Sequence, residues 1–159
     1  MKKAILISSV LITVIIGYLY LSTYKTGKVI RVVDGDTFVM QPYFGGNITV
    51  RMDCIDAPEH NQEFGSNSKN ALSGYILGRK VELTITGHDK YKRSLAMVYL
   101  SGTNINLKMV SNGFAWDYRK YCTDERFSQA EKKAKQLHMG LWLNLNAVNP
   151  YLFRKFNYN

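Results

Sequence analysis

The chain has 159 residues, 46% hydrophobic and 21% charged, a balance that fits one globular domain, and it shows no repeat or low-complexity segment. Its net charge of +9 suggests a polyanion partner, yet Lys2, Lys3, Lys25 and Lys28 flank an N-terminal apolar run, and residues 29 to 159 hold only 17 basic against 12 acidic side chains. The distribution of charge therefore says more than the total.

The run from Ala4 to Leu21 is 18 residues without a charge, preceded by Lys2 and Lys3. It predicts a signal peptide or signal anchor over residues 1–27. The uncleaved anchor is the favoured form, because the run is long for a cleaved signal and no small-residue cleavage site follows it.

From Lys28 the pattern becomes that of strands. Lys28 to Val33 and Thr37 to Met40 flank Asp34-Gly35-Asp36, a turn signal, and read as a hairpin. After Gly45-Gly46-Asn47, the alternation of Ile48, Val50 and Met52 gives a third antiparallel strand with Arg51 on the opposite face. Ala57-Pro58 ends it, and His60 to Gly65 is a polar loop. Ser66 to Leu77 reads as a helix stopped by Gly78. Val81 to Ile85 and Leu95 to Leu100 are the fourth and fifth strands, joined by a polar loop from Gly87 to Arg93. Two helices follow, at about 105–112 and 124–139, and the tail from Leu141, with Trp142, Tyr151 and Phe153, is expected to pack back on the domain. The expected fold is mainly β with helices (α+β): residues 28–159 form a five-stranded barrel of the OB-fold kind with about three helices.

Cys54 and Cys122 match no metal or redox spacing, which leaves one disulfide or two free thiols.

Between Arg31 and Glu63 lie six acids and two bases, whereas the chain from Phe64 onward holds fifteen Lys/Arg and six Asp/Glu. An acidic pocket in a basic surface suits a cation-dependent enzyme acting on a polyanion. Asp36 and Asp56 are the candidate ligands for a hard cation such as Ca²⁺, which takes carboxylate and backbone carbonyl oxygens. Glu59 is the candidate base for activating water, and Arg51 and Arg93 are the candidate phosphate-holding guanidiniums. Taken singly, each of these has an ordinary structural explanation, as a turn, a helix start or a solvated charge. His60, His88 and His138 are scattered and read as surface residues.

Four pieces of sequence resemble the staphylococcal nuclease (thermonuclease) family: VVDGDT at Val32 to Thr37, RMDCIDAPE at Arg51 to Glu59, DKYKR at Asp89 to Arg93 and GLW at Gly140 to Trp142. The resemblance spans residues 29 to 142 and implies an OB-fold nuclease that cleaves DNA and RNA with Ca²⁺ to products ending in a 3′-phosphate. By position it makes Asp36 and Asp56 calcium carboxylates, the carbonyl of Ala57 a backbone ligand, and Asp34 an acid near the metal. Glu59 becomes the general base and Arg51 and Arg93 the phosphate-binding arginines. Tyr91 falls near the nucleotide, and Trp116 and Tyr118 where aromatics flank the base. Two departures stand out: Lys92 occupies a position that is usually glycine in the family, and the loop His60 to Gly65 is shorter than the lysine-bearing loop of the family prototype.

The resulting expectation is a monomeric Ca²⁺-dependent endonuclease with a nucleic-acid substrate, secreted or held at a membrane by its N-terminal segment with the catalytic domain outside the cytoplasm. The competing expectation is a non-catalytic OB-fold module that binds nucleic acid or protein; such a module has no need to keep Asp36, Arg51, Asp56, Glu59 and Arg93 together.

Overall fold

In the computed structural model, residues 12–15, 17 and 23–157 are described. Most of the apolar run at residues 4–21 lies outside them. Among the described residues no helix is long and apolar enough to cross a membrane.

Five strands carry the fold: β1 (Tyr24–Val32), β2 (Thr37–Pro42), β3 (Ile48–Met52), β5 (Lys80–His88) and β6 (Ser94–Leu100); a two-residue strand β4 (Ile55–Asp56) lies between β3 and β5. β1 begins inside the span expected to be signal or anchor. The order β3-β2-β1-β5-β6 closes through a parallel pairing of β3 with β6, in register Val50↔Ser94 to Met52↔Ala96, and the other neighbours are antiparallel. The sheet is therefore a barrel, as the strand count and spacing predict. Inward positions follow the alternation: Val29, Phe38, Met40, Val50, Met52, Val81, Leu83, Ala96 and Val98 are all buried. Truncating a side chain such as Phe38 to alanine would cost about 3–5 kcal/mol, because packing this close leaves a cavity.

α1 (Gly65–Ile76) packs Leu72 and Ile76 into the barrel core. β7 (Thr103–Asn104) leads into α2 (Ile105–Ser111), whose first turn is capped by Asn104 accepting from the Leu107 N–H. β8 (Trp116–Asp117) pairs with β4, in register Asp56↔Trp116. α3 (Glu125–Gln136) has Asp124 as its cap, Glu125 in its first turn and Lys133 and Lys135 in its last, the polarity its dipole favours. A 3₁₀ turn follows at Gly140–Leu143.

Three features of the second half go beyond or correct the sequence reading. Between the two expected helices at about 105–112 and 124–139, Trp116 and Asp117 form the short strand β8, which the sequence reading did not include. The tail contains a fourth helix, α4 (Pro150–Asn157). Its start is written in the chain: the Asn149 side chain accepts from the Tyr151 N–H, and Pro150 follows at the first helical position. Finally, Cys54 and Cys122 form a disulfide, which settles the choice between bridge and free thiols and joins the end of the barrel to the segment before α3.

Gly140 shows why GLW has glycine first. Its φ is 58°, and a Cβ there would sit 2.3 Å from the Gly113 carbonyl oxygen. That contact lets the Leu141 N–H donate to Gly113 at 2.9 Å and delivers Leu141 and Trp142 to a second small core with Ala134.

Candidate active site

The acids are assembled by three backbone devices at one end of the barrel. The first is the tight turn at Asp34-Gly35-Asp36. Gly35 packs against α1 and Ala57: a Cβ on it would lie 1.9 Å from Ser68 Oγ and 2.7 Å from the Ala57 Cβ, so no larger residue fits. The second is the Ala57 N–H, which donates to Asp36 Oδ2 at 2.7 Å and ties the turn to the end of β4. The third is Asn106, fully buried, whose amide donates to the carbonyls of Asp53 and Ala96 and accepts from the Val98 N–H. Asn106 fixes the chain after β3 to β6. Sequence reading missed it, since a lone Asn in a helix carries no signal.

Asp36 and Asp56 are 5% and 1% exposed. Arg51 lies between them, its Nη2 3.1 Å from Asp36 Oδ2 and 2.9 Å from Asp56 Oδ1. Its Nη1 donates to the carbonyls of Met52 and Ile55 at 2.7 and 2.8 Å, so the guanidinium is locked across the strand end. The Thr37 hydroxyl donates to Asp36 Oδ1 at 2.9 Å, and Arg93 Nη1 reaches within 3.5 Å of that same hydroxyl oxygen. Arg93 is aimed by Asp89: its Nε donates to Asp89 Oδ2 at 2.7 Å, and Asp89 Oδ1 accepts from the N–H groups of Tyr91 and Arg93. Against a desolvation cost that raises it, this set of bonds holds the Asp89 carboxyl below its ordinary range.

Lys92 closes that loop with φ 63°, the left-handed conformation in which glycine is at ease, and its N–H donates to the Asp89 carbonyl at 3.0 Å. The loop thus keeps the glycine geometry with a lysine in it, and Arg93 remains directed toward Thr37. Tyr91 is 68% exposed, with its ring 5.6 Å from the Arg93 guanidinium.

Glu59 is joined to the cluster by a residue no motif indicated. Arg154, on α4, donates from Nη1 to Glu59 Oε1 at 2.6 Å and to Asp56 Oδ1 at 3.1 Å, and from Nη2 to Asp56 Oδ2 at 2.9 Å. Asp56 therefore carries two guanidiniums, one from 5 residues before it on β3 and one from α4, 98 residues on. The available signal was the helix start at Asn149-Pro150, which places a basic residue one turn into a helix near the site. Gln62 adds a second link: its side chain accepts from the Glu59 N–H and donates to the Val148 carbonyl at 2.6 Å.

Tyr118 stands beside Asp56: burial first, then the Asp56 charge, pushes its hydroxyl above the ordinary value. Its ring meets that of Tyr121 edge-on at 4.8 Å. The ring of Trp116 instead packs edge-on against Trp142 at 4.2 Å, with Lys135 over both, as part of the second core.

The cluster is short of positive charge. Burial, and then the neighbouring Asp36, pushes Asp34 up to about 7. Asp56 also stands above its ordinary value, because burial outweighs its two guanidiniums. With all four acids (Asp34, Asp36, Asp56, Glu59) ionised, as a bound cation would hold them, they would exceed the two arginines that bond them (Arg51, Arg154) by two charges. The residues present fit a divalent cation of the oxygen-seeking class. Among the described residues no three His, Cys, Asp or Glu side chains form a metal cage. The expected set of Asp36, Asp56 and the Ala57 carbonyl is smaller than such a cage.

A family model described as staphylococcal nuclease homologue matches residues 49–144. This chain belongs to the staphylococcal nuclease family. Among its relatives in that family, one named as an uncharacterized endonuclease of Haemophilus influenzae is 40% identical over 131 residues, covering 82% of this chain and 74% of the relative. Micrococcal nuclease of Shigella flexneri is 37% identical over 144 residues, covering 84% and 82%. Protein ParB of Escherichia coli is 33% identical over 148 residues, covering 84% and 81%. The span matched to the family model contains Arg51, Asp56, Glu59 and Arg93, but ends before α4 and Arg154.

Proposed function

We propose that this chain is a calcium-dependent endonuclease that hydrolyses DNA or RNA to products with 3′-phosphate ends. That it is a nuclease rests on its family and on relatives named as nucleases and endonucleases. The observation that carries the catalytic reading is the convergence of Asp36, Arg51 and Asp56 within hydrogen-bonding distance, with Glu59 and Arg93 on either side.

A calcium ion held by Asp36, Asp56 and the Ala57 carbonyl, with Asp34 behind Asp36, would supply Lewis-acid polarisation of a phosphate oxygen. The chain supplies the rest. Glu59 accepts a proton from water as the water oxygen forms a bond to phosphorus in line with the P–O5′ bond. That bond breaks, leaving phosphate on the 3′ oxygen, and the 5′ oxygen takes up a proton from solvent. Arg51 and Arg93 hold the charge that gathers on the phosphate oxygens, where planar guanidiniums bind bidentately. Tyr91 and Tyr118 border the site as surfaces for the nucleotide; the packing of Trp116 into the second core gives it a structural role there.

The barrel's disulfide supports export, because such bridges persist in oxidising compartments. We therefore place the catalytic domain outside the cytoplasm, secreted or tethered by residues 1–27, and propose that it acts as a monomer.

The test is cleavage of denatured DNA with Ca²⁺ and with a chelator. Arg51→Ala and Glu59→Gln are each expected to lose on the order of a hundredfold in rate. Unchanged Ca²⁺-dependent cleavage in both would remove the assignment, and tight binding of single strands without cleavage would favour a non-catalytic module.

A further inference from the structure

Arg154 bonds the carboxylate expected to ligate the metal and the one expected to activate water, using both guanidinium nitrogens on Asp56 and one on Glu59. Those oxygens cannot serve a guanidinium and a divalent cation in the same geometry. We propose that α4 is a latch: Arg154 is a tethered cation that closes the acidic site, and a divalent cation opens it by taking the place of the guanidinium. This rests on the reading of Asp36 and Asp56 as cation ligands.

Three observations separate Arg154 from Arg51, which touches the same acid. Arg51 is bound at four acceptors and its side chain is only 12% exposed, whereas the Arg154 side chain is 34% exposed and its contacts are to the two acids. α4 joins no sheet, and Tyr151, Leu152 and Phe156 on it are 48%, 44% and 76% exposed. Where its inner face meets the domain, Phe153, Pro58, Phe64, Leu143 and Val148 line a cavity of about 300 Å³. Of the residues of this helix only Pro150 is buried, so the three hydrogen bonds of Arg154 are a large share of what holds it. Taking away the attraction at Asp56 and Glu59 therefore releases the helix rather than merely one side chain.

A latch that is closed nine times in ten would weaken the apparent affinity for the cation about tenfold. The experiment is calorimetric titration of the full chain with Ca²⁺ alone, for the wild type, Arg154→Met and Arg154→Lys, with amide hydrogen exchange over residues 150–157 before and after Ca²⁺. Arg154→Met is expected to bind Ca²⁺ about tenfold more tightly, Arg154→Lys to fall between, and Ca²⁺ to speed exchange in α4 of the wild type. Equal or weaker Ca²⁺ binding by Arg154→Met, or exchange in α4 unchanged by Ca²⁺, would overturn the latch while leaving the nuclease reading intact. A wild type that neither binds Ca²⁺ nor cleaves denatured DNA would overturn both.

Discussion

Arg51 and Arg154 both hold Asp56, one from 5 residues before it and one from 98 residues after it, and the difference between them is one of support. Arg51 stands on barrel strand β3, which pairs with β2 on one side and β6 on the other, and its guanidinium is also held by two main-chain carbonyls of its own segment. Arg154 stands on a terminal helix that contributes a side-chain ion pair and a partly filled apolar face. The same charge on the same acid is thus part of the frame in one case and removable in the other. A buried ion pair is weak evidence for net stability, but loss of one partner from it is costly, because the remaining charge stays behind without compensation.

The largest effect is expected at Arg51. Arg51→Met should lower stability by about 3–5 kcal/mol as well as cleavage, since Asp36 and Asp56 would keep their burial and lose their shared partner. Arg154→Met, at a side chain one-third exposed, should cost about 1 kcal/mol or less. Urea unfolding of the two variants in chelator checks this. Equal losses would mean that α4 is as much a part of the frame as β3.

The disulfide comes next, because it ties the barrel end beside Asp56 to the segment leading to α3. Its two cysteines are 68 residues apart, and replacing both by serine is expected to cost about 2–4 kcal/mol through the extra freedom of the unfolded chain. The Tyr118 N–H donates to the Cys54 carbonyl, so β8 should loosen as well. Exchange of the amides at 116–118 that is faster in the serine variant, with the β1–β2 amides unaffected, would show that the bridge serves the second half rather than the barrel.

Legibility in the sequence follows the same division. Strand alternation with inward Phe38, Met40, Val50 and Met52 made the barrel readable, since a period of two buries one face only. That Asp36, Arg51, Asp56, Glu59 and Arg93 would gather at one end of the barrel was readable because they occur in short, dense motifs. Asn106 and Arg154 were not: each acts through one long-range contact, to Asp53 in the first case and to Asp56 and Glu59 in the second, and single contacts leave no periodic trace. Trp116, which the family resemblance sets beside the base, packs its ring edge-on against Trp142.

A smaller effect is expected at Asp117 in that second half. Its side chain is 2% exposed, and neither oxygen accepts a hydrogen bond among the described residues, although Arg119 Nε lies 3.2 Å from Oδ2. Burial first, with Glu131 and Asp124 adding and Arg119 and Lys135 opposing, raises its carboxyl above 3.8. The folded chain therefore holds this proton more tightly than the unfolded chain does. Stability is lost as pH rises from about 3.8 through the raised value, and the penalty is complete above it. Asp117→Asn should raise stability at neutral pH by on the order of 1 kcal/mol, read as a higher Tm, and the gain should vanish below the ordinary carboxylate range. A gain independent of pH would show that shape rather than charge is the cause.

The smallest effect is expected at Lys92, where two terms of similar size oppose each other. With φ at 63°, a residue bearing a Cβ is strained by about 1–2 kcal/mol, and glycine would relieve it. Glycine also loses more freedom on folding, by about 0.5–1 kcal/mol. The net gain for Lys92→Gly is therefore about 0.5 kcal/mol, and Lys92→Ala, which keeps the Cβ, should gain nothing. Because Asp89 and not Lys92 aims the guanidinium, cleavage by Lys92→Gly should stay within about threefold of wild type, whereas Asp89→Ala should lose activity with Arg93 still present. If Lys92→Gly changed the rate by far more than that, the lysine itself would be taking part at the phosphate, and the loop would have to be counted as a second source of removable charge beside α4.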